Sequence, residues 1–159
     1  MTRSAILNAM GGFFAGLVAS EAPRAAEAAE PGWQLTPTQW HARLSPETYA
    51  VLREAATEPP GSSPLDGEER RGTYLCAGCS LALFSSKTKF HSGTGWPSFY
   101  EPIAHAVDTK ADHSIFEART EVHCHRCGGH LGHVFDDGPK PTGLRYCING
   151  LALKFVPEG

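Results

Sequence analysis

The chain has 159 residues, with 14 Lys and Arg against 17 Asp and Glu for a formal net charge of −3, a length that suits one domain. With 41% hydrophobic and 19% charged residues the composition is globular, and 17 Gly with 12 Pro imply many turns and exclude a helical bundle. The slight acidity excludes binding driven by phosphate contacts, which needs clustered Lys and Arg, and five cysteines cannot all pair within one chain, so at least one thiol is left for metal or chemistry.

Ser4 to Ser20 carries no charge and holds Ile6, Leu7, Phe13, Phe14, Leu17 and Val18 behind Arg3. A basic start, an apolar middle and small residues around Val18-Ala19-Ser20 or Ala26-Glu27-Ala28 resemble a secretory signal; the other reading is a disordered or amphipathic leader. The stretch is too short and Gly-rich for a membrane span, which needs about 20 predominantly apolar residues. Residues 1–31 are therefore expected to be leader and linker, and residues 32–159 the folded domain, without stable membrane insertion. A working leader places the protein in a bacterial periplasm; without one it stays cytoplasmic.

Thr36-Pro37 and Ser45-Pro46 each combine an N-cap hydroxyl with proline at the first helical position, so two short helices are expected, carrying Trp40 and Leu44, then Tyr49, Val51 and Leu52. Pro59-Pro60-Gly61 ends helical structure and starts an extended wrap toward Arg71. From Thr73 onward short β-like runs alternate with Gly and Pro: Thr73 to Cys76, Ile115 to Val122, Gly132 to Phe135, Leu144 to Asn149 and Ala152 to Val156. No run alternates with helices of 10 to 15 residues, which disfavours a parallel α/β sheet. The expected fold is mainly β, a compact antiparallel domain with helices at its N-terminal edge.

Cys76-Ala77-Gly78-Cys79 and Cys124-His125-Arg126-Cys127 are two Cys-x-x-Cys turns with 44 residues between them. Each turn offers half of a tetrahedral site, and the two together make a four-cysteine zinc site with ligand distances of about 2.3 Å. Disulfides are the competing reading, given weight by an oxidising compartment. Zinc is favoured because a disulfide within Cys-x-x-Cys is a labile redox device and two of them would be unusual. His123 and His125 are expected to be solvated flanks. A site closed by four thiolates has no open position, so its role is structural.

Subtraction leaves Cys147, in Arg145-Tyr146-Cys147-Ile148-Asn149. On a strand Arg145, Cys147 and Asn149 share one face. A guanidinium beside the sulfur favours the thiolate; alternatively Cys147 is a small buried hydrophobe and Arg145 pairs elsewhere. His130-Leu131-Gly132-His133 lies upstream, where Gly129 and Gly132 permit a bend that aims both histidines at one cavity. The turn-rich loop Asp137 to Gly143 returns the chain antiparallel and brings Cys147 alongside His133. Trp96, between a glycine loop and Pro97, suits an aromatic wall, or an ordinary buried Trp.

Taken together, both cysteine pairs, Ser92-Gly93-Thr94-Gly95-Trp96-Pro97-Ser98-Phe99, His130-Leu131-Gly132-His133-Val134-Phe135 and Arg145-Tyr146-Cys147-Ile148-Asn149, in this order, closely resemble the B-class methionine-R-sulfoxide reductases, from about Thr36 to Val156. The resemblance implies two antiparallel sheets, one structural zinc on Cys76, Cys79, Cys124 and Cys127, and Cys147 as nucleophile. It further implies that His130, His133 or a water they hold protonates the sulfoxide oxygen, leaving Cys147 as a sulfenic acid. Trp96 and Phe135 wall the substrate methyl group, and Asn149 and Arg145 orient water and stabilise the thiolate, with Asp137 assisting. The implied substrates are oxidised proteins and peptides.

Two positions depart from the family pattern. Thr94 stands where many relatives carry a resolving cysteine, so the chain resembles a one-cysteine form reduced directly by an external thiol such as thioredoxin or glutathione. Gly150 stands where serine is usual. Two readings from other classes remain: a zinc-ribbon binding module, disfavoured by the charge and by the Arg145-Cys147-Asn149 face, and a thiol oxidoreductase acting through the Cys-x-x-Cys pairs.

Overall fold

The computed structural model describes residues 29–159; the leader expected over residues 1–31 lies, as far as residue 28, outside the described residues. Helix α1 (Pro37–Arg43) is entered through Thr36, whose hydroxyl accepts from the Gln39 N–H while the Gln39 side chain accepts from the Thr36 N–H. This reciprocal cap satisfies two backbone donors that a helix start leaves without partners. Helix α2 (Pro46–Glu54) is capped by Ser45 and ends where Ala55 turns left-handed at φ 55°, before the proline run. Both starts match the Ser/Thr-Pro signals in the sequence. The helices bury Trp40, Val51 and Leu52.

The rest is antiparallel β. A three-stranded sheet of order β2-β1-β9 is built from β1 (Gly72–Cys76), β2 (Ala82–Ser85) and β9 (Leu153–Pro157). A six-stranded sheet of order β3-β4-β8-β7-β6-β5 contains β3 (Lys89–Phe90), β4 (Ser98–Phe99), β5 (Val107–Asp112), β6 (Arg119–Cys124), β7 (His130–Phe135) and β8 (Arg145–Ile148). Aromatic rings fill the seam between the sheets. Tyr74, Phe84 and Phe99 are fully buried, with the Phe84 and Phe99 rings stacked at 4.4 Å and Tyr74 edge-on to Phe99 at 4.9 Å. Burial of one such ring contributes roughly 1.5–3 kcal/mol.

Four of the five expected strands form, as β1, β7, β8 and β9. The run expected from Ile115 to Val122 becomes strand only at Arg119, because Ile115 and Phe116 sit at the tip of the β5–β6 hairpin, exposed by 51% and 110%. Strand β5 escapes the pattern because Val107–Asp112 is a mostly polar edge strand. Strands β3 and β4, of two residues each, are too short to show alternation.

Candidate active site and metal centre

Each cysteine pair lies where a strand runs out into a tight turn. Cys76 ends β1 and Cys124 ends β6. In the first turn the Ser80 N–H donates to Cys76 O at 2.8 Å, and in the second the Gly128 N–H donates to Cys124 O at 2.8 Å. Ser80 and Gly128 close these turns in the left-handed region, at φ 63° and 70°. Gly78 has a different task. A Cβ there would press on Leu52 and Trp40, and one on Gly129 would press on Leu52, so both turns lie flush under the helices.

The four sulfurs lie within 4.8 Å of one another and all four residues are buried. Cys76 Sγ is 3.7 Å from Cys127 Sγ, and Cys79 Sγ is 3.5 Å from Cys124 Sγ. A disulfide needs about 2.05 Å, and all five cysteines are free thiols. A tetrahedron with metal–sulfur bonds of about 2.3 Å has edges of roughly 3.8 Å, so the donor set fits zinc. Four sulfurs this close cannot all ionise alone: those of Cys124, Cys76 and Cys79 push the Cys127 thiol far above its ordinary range, and full deprotonation therefore calls for a cation. The flanking histidines differ from expectation. His125 is exposed and bonded to Asp108 at 2.9 Å, but His123 is buried, since it faces inward at the bulge of β6.

At the middle of the larger sheet, Cys147 on β8 is opposite His133 on β7 and opposite Ser98 on β4. The β7–β8 approach demands glycine, since a Cβ on Gly132 would overlap the Cys147 carbonyl. A cavity of about 290 Å³ opens over Cys147, lined among others by Thr94, Trp96, His133, Phe135, Arg145 and Asn149. Cys147, Trp96, His133, Phe135, Arg145 and Asn149, six of the side chains to which the resemblance assigns roles, and Thr94 thus meet in one cavity. His130 does not line it. Its ring lies edge-on to His133 at 5.5 Å and is buried, with Nδ1 2.8 Å from Glu121 Oε1 and Nε2 without a partner.

Arg145 is committed to Asp137 through two bonds, Nε to Oδ1 at 2.8 Å and one terminal nitrogen to Oδ2 at 3.0 Å. It also stacks over the Phe135 ring at 4.4 Å. Burial pushes the Cys147 thiol above its ordinary value, against the opposing pull of the Arg145 charge and of the Thr94 hydroxyl. The sign expected for Arg145 is right, but burial outweighs it.

His133 Nε2 lies 2.8 Å from Asp112 Oδ2. A carboxylate only accepts, so Nε2 carries the proton and Nδ1 is the free nitrogen of the neutral ring. Asp112 Oδ1 accepts from the Ser114 N–H at 2.9 Å, and Oδ2 also accepts from Arg119 at 3.0 Å. These bonds, Ser114 first and His133 next, hold the Asp112 carboxyl well below the usual carboxylate range. Burial pushes His133 down, with Asp112 opposing.

Nothing local in the sequence marks Asp112, Arg119 and Glu121, because only the β5–β6 hairpin carries them to the histidines. The same holds for Glu58. Its N–H donates to Asn149 Oδ1 at 3.0 Å, its carbonyl accepts from Trp96 Nε1 at 3.0 Å, and its carboxylate accepts from the Leu151 N–H at 3.0 Å. One buried residue thereby positions both Trp96 and Asn149. Asn149 also donates from Nδ2 to Leu131 O at 3.0 Å. Gly150 has a local reason: a Cβ would overlap the Ser63 side chain.

The SelR domain model matches residues 44–157. Relatives named peptide methionine sulfoxide reductase MsrB include one from Bradyrhizobium diazoefficiens, 58% identical over 121 residues, covering 76% of this chain and 87% of that protein. One from Leptospira interrogans is 53% identical, covering 75% and 92%, and one from Methanosarcina barkeri is 55% identical, covering 76% and 85%.

Proposed function

Since the chain belongs to the SelR-domain family of B-class methionine sulfoxide reductases, oxidoreductases that reduce peptide methionine (R)-sulfoxide, we propose that Cys147 is its nucleophile and that it works without a resolving cysteine. The supporting observation is the placement of Cys147 opposite His133 in the cavity that also holds Trp96 and Phe135.

The sulfoxide side chain enters with its methyl group against Trp96 and Phe135. The Cys147 thiolate attacks the sulfoxide sulfur while protonated His133, or a water it holds, gives a proton to the oxygen. The oxygen ends on Cys147 as a sulfenic acid and the thioether departs; the cysteine sulfur loses two electrons and the sulfoxide sulfur gains them. His130 supports this from behind, its ring fixed by Glu121. Arg145 and Asn149 orient water and favour the charged sulfur. Two external thiols, from thioredoxin, glutathione or a small dithiol, return Cys147 to a thiol and yield one disulfide and one water. The other four thiols belong to the metal cluster and Thr94 carries no sulfur, so no second thiol faces the cavity.

Cys76, Cys79, Cys124 and Cys127 hold one structural zinc, which ties β1 of the small sheet to β6 of the large one and supplies folding energy rather than chemistry. The biological role is repair of oxidised protein methionine after oxidative stress. No helix among the described residues is long and apolar enough to cross a membrane, and residues 1–31 serve as leader and linker, the leader directing export toward the periplasm.

The test is turnover of a racemic methionine-sulfoxide peptide with dithiothreitol. Half should be consumed, leaving the S epimer, and Cys147→Ser should show no turnover with any reductant. Catalysis by that variant would remove Cys147 as nucleophile, and an internal disulfide after one turnover would overturn the one-cysteine cycle.

A further inference from the structure

Two neighbouring apolar side chains, Ile115 and Phe116, stand in solvent at the tip of the β5–β6 hairpin, the first about half exposed and the second wholly so. The hairpin's last paired residues are Asp112 and Arg119. That base is anchored at the cavity over Cys147. Asp112 Oδ2 meets His133 at 2.8 Å and Arg119 at 3.0 Å, and Arg119 lines the cavity with His133 and Phe135. Three residues of chain span at most about 11 Å, so Phe116 stays within that distance of Arg119 along the backbone.

A groove adjoins the cavity on the hairpin side. It has a volume of about 340 Å³, shares Arg119 and Phe135 with the cavity, and is otherwise lined by Ala118, Thr120, Val134 and Leu144, with Asp136 beside them. Ala118 is only two residues from Phe116. The cavity, the groove and the apolar tip are thus joined through Arg119 and the residues that lead into it.

From this continuity we infer that the groove and the hairpin tip bind the chain of a peptide substrate on one side of its methionine sulfoxide, and select a large apolar residue two positions away. The inference rests on reduction taking place over Cys147. In an extended peptide, side chains two residues apart share a face and lie roughly 6.5–7 Å apart. A sulfoxide side chain seated in the cavity therefore presents its second neighbour to the groove beyond Phe135, where Ile115 and Phe116 close over it and leave water. Glu117 and Asp136 are exposed carboxylates at this place and oppose an acidic neighbour. Apolar surroundings are those of a core methionine, so the substrate class is the oxidised core segment of a damaged protein that has come unfolded.

The test compares initial rates on three blocked peptides, Leu-Gly-Met(O)-Gly-Leu, Gly-Gly-Met(O)-Gly-Gly and Asp-Gly-Met(O)-Gly-Asp, and on N-acetylmethionine sulfoxide, with the full, zinc-loaded chain. Dithiothreitol as reductant keeps docking of a reductant protein out of the measurement. The leucine peptide should exceed the glycine peptide by about tenfold in kcat/KM, a factor that burial of one large apolar side chain provides, and the aspartate peptide should be the slowest. Ile115→Ser with Phe116→Ser should bring the leucine-to-glycine ratio near one and leave kcat/KM on N-acetylmethionine sulfoxide unchanged. Ala118→Glu, which puts a carboxylate into the groove, should lower the same ratio.

Equal rates on the leucine and glycine peptides in wild type, or a ratio that survives in folded variants, would overturn the assignment. So would a wild-type dimer that the two serine substitutions dissociate, because the tip would then be covered by a second copy. These results leave reduction at Cys147 standing as long as N-acetylmethionine sulfoxide is consumed. Turnover of that compound by Cys147→Ser would instead remove the reading on which the groove depends.

Discussion

Asp112 and His133 are joined at 2.8 Å across two strands, β5 and β7, that are not neighbours in the sheet. Strand β6 lies between them, and its Arg119 binds the same carboxylate oxygen. The acceptor fixes the ring's tautomer, and the ring lines the cavity over Cys147.

Asp112→Asn should therefore alter the pH dependence of turnover more than substrate affinity. The aspartate charge raises the His133 pKa against the effect of burial, so removing it lowers that pKa further. The limb of the kcat profile that requires protonated His133 should move to lower pH, with kcat at neutral pH down by roughly 10- to 100-fold, within the range general acid catalysis provides. A profile superimposable on wild type would mean that Asp112 does not govern His133.

Stability should fall in two stages on acidification. Burial pushes His133 and His123 down, so the folded state resists a proton the unfolded chain accepts, and stability drops as pH falls below about 6.5. Asp112, Asp137 and Glu121 are all held low. Their contribution is complete above the unfolded carboxylate pKa and is lost as pH falls below about 4. The melting temperature recorded from pH 8 to pH 3 checks both stages, and a flat curve between pH 7 and 5 would contradict the first.

Removal of metal should unfold the domain rather than slow the chemistry alone. Structural zinc supplies about 10–16 kcal/mol of apparent binding energy in small domains, more than the usual net stability of about 5–15 kcal/mol. Metal-free protein, prepared with a strong chelator or as Cys124→Ser, should lose the cooperative melting transition seen by circular dichroism. A normal transition after verified metal loss would contradict the structural role.

Gly150→Ser should destabilise, because its Cβ would collide with Ser63, beside Glu58. Overpacking of this kind costs about 1–3 kcal/mol, and the strain would reach Trp96 and Asn149 through Glu58. Ser63→Gly should relieve it. Recovery of the lost stability in the double variant, read from urea midpoints, tests the collision directly; equal loss in the single and double variants would place the fault elsewhere.

Local chemistry made much of this protein legible from its sequence. Capped helix starts are read within four residues, the Cys-x-x-Cys turns each place two thiols by local geometry alone, and period-two alternation puts Arg145, Cys147 and Asn149 on one face of a strand. Subtraction of the four clustered cysteines isolated Cys147. These inferences depend on neighbours along the chain, where covalent geometry does the placing.

The tertiary structure decided what lies between distant segments. The polar edge strand β5 gave no apolar pattern to read, yet it brings Asp112 to His133. Glu58 carries no local signal beside the Pro59-Pro60 run, yet burial turns it into the support of Trp96 and Asn149. His130 and His133 look equivalent in sequence, but the six-stranded sheet leaves one on the cavity wall and encloses the other against Glu121. The balance at Cys147 was decided there too. Proximity to Arg145 is local and lowers the thiol pKa, whereas burial is set by every segment that closes over the sulfur, and burial prevails.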